Sequence, residues 1–179
     1  MTTNATSTND QMTVKITPNE KSNPPGKLAD AETFYGQAIE LARAQRNPRT
    51  TATMLSNLAH ILITSGQLDR ARAALAESVA LDKAIGRATV ECQLDVVAAL
   101  AAASASHATA ARFHGATLTR MREAGMRHDP VDEAFIAGWL ARSRDAIGAA
   151  AFDAAEAEGK TLDSRAAMAE MDRWLQYAR

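Results

Sequence analysis

Residues 57–86 read NLAHILITSGQLDRARAALAESVALDKAIG, and the spacing of the apolar side chains within them decides the fold. Leu58, Ala59 and Leu62, with Leu55 just before them, recur three and four residues apart and so share one face of a helix. The polar step Thr64-Ser65-Gly66 interrupts that pattern, and glycine suits the left-handed position that closes a helix. A second apolar face follows at once through Leu68, Ala71, Leu75 and Val79, extends to Leu81 and Ile85, and stops at Gly86. Two helices joined by so short a turn must run back antiparallel, as a helical hairpin.

The same punctuation continues in both directions. Upstream, Leu28, Ala31, Phe34, Tyr35, Ala38, Leu41 and Ala42 form a helix face that ends near Asn47-Pro48, and the next helix begins near Arg49. Downstream, helices are expected from about Ala88 to Ser104, from Ala108 to Ala124, from Val131 to Ile147, from Ala149 to Glu158 with Gly159 as its stop, and from Asp163 or Ser164 through Leu175. Eight helices result. Ala31, Ala71 and Ala111 recur 40 residues apart, and in that register Tyr35, Leu75 and Gly115 align, as do Ala38, Ser78 and Leu118. A fixed period of this size is the mark of stacked hairpin repeats.

Composition agrees. Of 179 residues 46% are hydrophobic but only 4% aromatic, the apolar content being largely alanine, the best helix former. An all-α fold is therefore expected, with a disordered leader over residues 1–27, repeats over 28–125 and a helical cap over 126–179 packed on them. The 20 basic and 21 acidic residues are interspersed, which leaves no field for a phosphate backbone. The single cysteine, Cys92, excludes an intrachain disulfide and multi-thiolate metal sites. The start has neither the basic nor the apolar region of a secretory signal, and no apolar run approaches the ~20 residues of a membrane span. A cytoplasmic location is expected, with neither nucleic acid nor membrane as partner.

The 57–86 segment resembles a tetratricopeptide repeat with lengthened helices. Leu58, Ala59, Leu62, Gly66, Ala71, Leu75 and Ser78 occupy the packing positions of that motif, while Lys83 replaces its final proline and the period exceeds the usual ~34 residues. Another helical-hairpin repeat stays open on that account. The stretches AARFHGATLTRMREAG (110–125) and ARSRDAIGAAAFDAAEAEGKTLD (141–163) are similar to the end of the repeat region in large bacterial ATPase-type transcriptional regulators of the LuxR-like and AfsR-like kind. The residues that carry this resemblance are Ala111, Gly115, Arg122, Gly125, Pro130, Arg144, Gly148, Phe152, Gly159 and Leu162. It implies an arm that senses or recruits a partner protein.

Candidate chemistry is sparse. Gly159-Lys160-Thr161 matches the end of a phosphate-binding loop, but Ala154 stands where its first glycine belongs and a helix precedes it, so a solvated lysine is the expected reading. His107 and His114 lack a matching carboxylate for a metal, His128 sits in a turn, and Cys92 has no histidine at contact spacing. Neither catalysis, metal nor cofactor is expected. Arg87, Glu91 and Asp95 step along one helix as a solvated face or the rim of a groove. In the tetratricopeptide alignment the partner-binding groove corresponds to Thr53, Asn57, His60 and Thr64, followed by Gln93, Val97 and Leu100. The function expected is protein–protein interaction, with a partner peptide or helix in the concave groove. The alternative is self-association: the first hairpin lacks its leading helix, and a second copy would cover Phe34 and Tyr35.

Overall fold

The computed structural model describes residues 25–87, 90–127 and 130–177. Most of the expected leader (residues 1–24), His128 and the side chains of Glu91 and Cys92 lie outside the described residues. The described chain is all helical, in the order α1 Pro25–Ala44, α2 Pro48–Thr64, α3 Leu68–Ala84, α4 Val90–Ala103, α5 His107–Glu123, α6 Pro130–Ile147, α7 Ala149–Lys160 and α8 Ser164–Tyr177. Local chemistry starts and stops them. The Asn47 side chain accepts the Thr50 N–H at 3.1 Å with Pro48 in the first turn of α2, and Asp163 accepts the Ala166 N–H at 2.7 Å to cap α8.

Five successive turns share one form. After each helix one residue takes a left-handed φ: Arg46 (51°), Gly66 (75°), Gly86 (67°), Ala105 (58°) and Gly125 (64°). The next N–H then reaches back into the last turn, as Gln67 does to the Leu62 carbonyl at 2.8 Å and Ser106 to that of Ala101 at 2.8 Å. These positions advance by 20, 20, 19 and 20 residues. The 40-residue register therefore holds from α1 to α3 and slips by one at α5. Ala110, His114 and Thr117, not Ala111, Gly115 and Leu118, stand where Ala71, Leu75 and Ser78 stand.

The slip frees Gly115 for another use. A Cβ built there would lie 2.0 Å from the Glu156 carbonyl oxygen, and one on Gly159 would lie 1.9 Å from that of Arg112, so α5 and α7 cross with their backbones in contact. Gly159 was expected to end its helix. It lies buried inside α7 instead, and the reason for glycine is space for α5, while the helix runs on to Lys160. The Thr119 hydroxyl donates to the Lys160 carbonyl at 3.2 Å.

The hairpins stack so that α2 packs on α1, α3 and α4, and α4 on α5 and α6. The core they enclose includes Leu62, Leu75, Leu94, Leu100 and Phe113, none more than 1% exposed. Burying each large apolar side chain contributes about 1.5–3 kcal/mol. The last helix, α8, turns back and lies against α3, α4 and α5, with Ala167, Met171 and Leu175 buried at a four-residue spacing. Arg72 stacks on the Trp174 ring at 4.1 Å and donates to its carbonyl at 3.0 Å, Arg112 donates to Glu170 at 2.6 Å, and Lys83 pairs with Asp172. No helix among the described residues is long and apolar enough to cross a membrane.

Candidate functional site

The polar stripe of α2 opens onto a cleft. Thr53 and Asn57 are four residues apart and His60 three further on, so all three point from one side of the helix into a cavity of about 390 Å³. The other walls come from α4 (Gln93, Asp95, Val96) and from α6 (Asp132, Phe135), and Asp82, Arg87, Met126 and Arg127 complete the lining. Helix α6 closes the cleft over α2: the Phe135 ring lies 4.5 Å from that of His60 at a 42° tilt.

A polar network holds one end of this cleft. The Gln93 amide donates to Asp82 at 2.7 Å and to the Ser78 hydroxyl at 3.3 Å, and Ser78 donates to the Ala52 carbonyl at 2.8 Å. Arg87 reaches both Thr53 Oγ1 at 3.2 Å and Asp82 at 3.4 Å. Asp82 and Gln93 are only 4% and 5% exposed, so these bonds are made in a medium where an unmatched polar group would be costly. By contrast, the Asn57 amide and the His60 ring nitrogens make no hydrogen bond among the described residues and face the cleft. Burial drives the His60 pKa down from 6.5 to about 4, partly opposed by the Asp95 charge, so the ring is neutral near pH 7 and offers one donor and one acceptor.

The structure brings together Thr53, Asn57, His60 and Gln93, four of the seven groove residues expected from sequence. Thr64 lies off the cleft, with its hydroxyl donating to the His60 carbonyl at 2.9 Å within its own helix. Val97 and Leu100 need correction. Both are 0% exposed, because α4 is covered on the sides away from the cleft by α2, α3, α5 and α8, and they belong to the core. Arg87 and Asp95 both line the cleft, but Arg87 precedes α4 and Asp95 is buried at 8% exposure, so the two do not form one charged helix face. Phe135 and Asp132 were missed, since nothing local in α6 reports that it folds over α2.

The remaining chemistry is structural. Lys160 pairs with Glu156 one turn earlier and is exposed, as expected of a solvated lysine. His107 Nδ1 lies 3.1 Å from the Ser143 hydroxyl. His114 sits between Asp95 and Glu156 at 3.8 and 3.9 Å. Among the described residues no cluster of His, Cys, Asp and Glu has the geometry to hold a metal. Of the self-association pair, Phe34 is 47% exposed, while Tyr35 is half-buried and meets it edge-on at 5.5 Å.

Residues 26–84, spanning α1 to α3, match the tetratricopeptide repeat family. Neither the curated proteins nor the solved structures contain a match to the chain. The matched segment includes the wall of the cleft formed by Thr53, Asn57 and His60, and a tetratricopeptide segment implies a protein–protein interaction module.

Proposed function

We propose that this chain holds a peptide segment of a partner protein in the cleft between α2, α4 and α6. One observation carries the reading: the Asn57 amide and the His60 imidazole face the cleft and make no hydrogen bond among the described residues, beside the apolar surfaces of Phe135, Met126 and Val96. An amide side chain both donates and accepts, which matches the alternating N–H and C=O of an extended peptide. The methionine and aromatic surfaces take its apolar side chains. The partner belongs to a bacterial signalling or transcription-regulatory system in this proposal, a step supported by the resemblance of residues 110–125 and 141–163 to the repeat arms of such regulators.

Panning a random peptide library displayed on phage against the full chain tests the cleft. Selected peptides are expected to bind with affinities that fall at least roughly tenfold in Asn57→Ala and in Phe135→Ala, about the effect of one good contact. Peptides whose affinity is the same in both variants would place binding elsewhere and end the proposal.

A second reading has one observation in its favour. Phe34 and Leu41, seven residues apart on α1, are 47% and 61% exposed, an apolar strip that a second copy would cover. Light scattering across a concentration series decides it: dimer formation abolished by Phe34→Ser supports self-association, and a monomer throughout removes it.

A further inference from the structure

The repeat places two equivalent grooves on the face opposite the cleft, one filled and one open. Helix α8 fills the groove between α3 and α5, with α4 as its floor. One hairpin earlier, the groove between α1 and α3 has α2 as its floor and a volume of about 340 Å³, and no helix among the described residues lies in it. The turn register matches the two position by position. Gly36, Ile39 and Arg43 of α1 stand where Ala76, Val79 and Lys83 of α3 stand, Ala74 stands where Phe113 stands, and Leu62 stands where Ala101 stands.

The differences specify what fits. Trp174 of α8 rests on Phe113 at 6.1 Å, against the alanine cluster that includes Ala101, and under Arg72, which also donates to its carbonyl. In the open groove those three places hold Ala74, Leu62 and Glu32, so the wall is hollowed, the floor raised and the charge reversed. Glu77 adds a second carboxylate on the α3 wall, where α5 has Ala116. Arg43 keeps the positive charge by which Lys83 holds Asp172. The walls are linked across the groove by Arg43–Glu77 and Arg70–Glu32, each 2.6 Å long, with Glu32 also accepting from Gln67 at 3.0 Å; both arginines are solvent-exposed, so an incoming cation can share these carboxylates.

We infer that the α1–α3 groove is a second docking site, for an amphipathic helix of a partner protein with a narrow apolar stripe and basic residues where α8 carries Glu170 and Trp174. The lysine or arginine in the first place, where Glu170 meets Arg112, faces Ala73 and extends along α3 to Glu77 one turn on, and that in the second meets Glu32 while its aliphatic stem covers Leu62. An acidic residue in the place of Asp172 meets Arg43. This surface is distinct from the cleft, and neither proposal depends on the other.

The probe is a labelled synthetic peptide of residues 163–177 carrying E170K and W174K, titrated with the full chain and followed by fluorescence anisotropy. It is expected to bind at least tenfold more tightly than the unaltered 163–177 peptide. Gly36→Phe should abolish that binding with unchanged circular dichroism, because a Cβ on Gly36 meets nothing within 4 Å and the added ring occupies the groove. Absence of binding, equal affinity of the two peptides, or full binding to Gly36→Phe would each overturn the inference.

Discussion

The two ends of the helical array are held in different ways. At the front, α1 is joined to α3 across an open groove by exposed ion pairs, and it leaves Phe34 and Leu41 facing solvent. At the back, α5 and α7 press backbone to backbone at Gly115 and Gly159, and α8 buries Met171 and Leu175 against three helices. Backbone-to-backbone contact is thus a feature of the back, while the front packs one face of α1 on α2 through Ala31, Ile39 and Ala42 and leaves its other face to solvent. The front repeats one hairpin with one turn form, whereas α7 and α8 follow other turns and fold back across the repeat, so the difference lies in topology as well as in side-chain size.

The largest effect that would break the contrast is expected from Gly159→Leu. Its Cβ would lie 1.9 Å from a backbone oxygen that cannot swing aside, so α5 and α7 must separate. Urea denaturation should show a loss of about 3 kcal/mol or more, against a change within about 1 kcal/mol for Gly36→Leu at the front. Equal losses at both glycines would show that the front is as tightly determined as the back.

Met171→Ala comes next. Its side chain is fully buried where α8 packs on the repeat, and its loss should cost about 2–4 kcal/mol, while Leu41→Ala, 61% exposed, should cost less than about 0.5 kcal/mol. A cost for Leu41→Ala comparable to that of Met171→Ala would mean that the front face is covered in solution.

The smallest effect sharpens the view of the cleft between the two ends. The folded protein holds His60 neutral down to about pH 4, whereas the unfolded chain takes up the proton near pH 6.5. The unfolded state therefore binds more protons across that window, and stability should fall as pH drops from 6.5 to about 4. Between pH 7 and 4.5 His60→Gln should remove about 2 kcal/mol of that decline, read from urea midpoints at each pH. An unchanged pH profile in the variant would place the titration on other groups.

Much of this was legible in the residues alone. All eight helices fall within a few residues of their expected bounds, because apolar periodicity, Asn47-Pro48 and the glycines at 66, 86 and 125 act within a single turn of chain. Thr53, Asn57 and His60 stood out as a polar stripe on an otherwise apolar helix, and they do line the cleft. Val97 and Leu100 were placed in the groove by the tetratricopeptide alignment but are core, since the helices that cover α4 include one drawn from about 70 residues away. The turn at Ala105 hid the register slip: a left-handed alanine costs about 1 kcal/mol and carries no glycine signal.

Sequence by itself determined the helices, their turns and the hairpin period, because each depends on interactions between residues a few positions apart. Only the tertiary structure decided that α7 crosses α5 at paired glycines, that α6 roofs the cleft through Phe135, and that α8 fills one outer groove and leaves its twin open. Those outcomes turn on whether side chains far apart in the chain leave room for one another. Alanine, glycine and phenylalanine do not disclose their distant neighbours until the helices are packed.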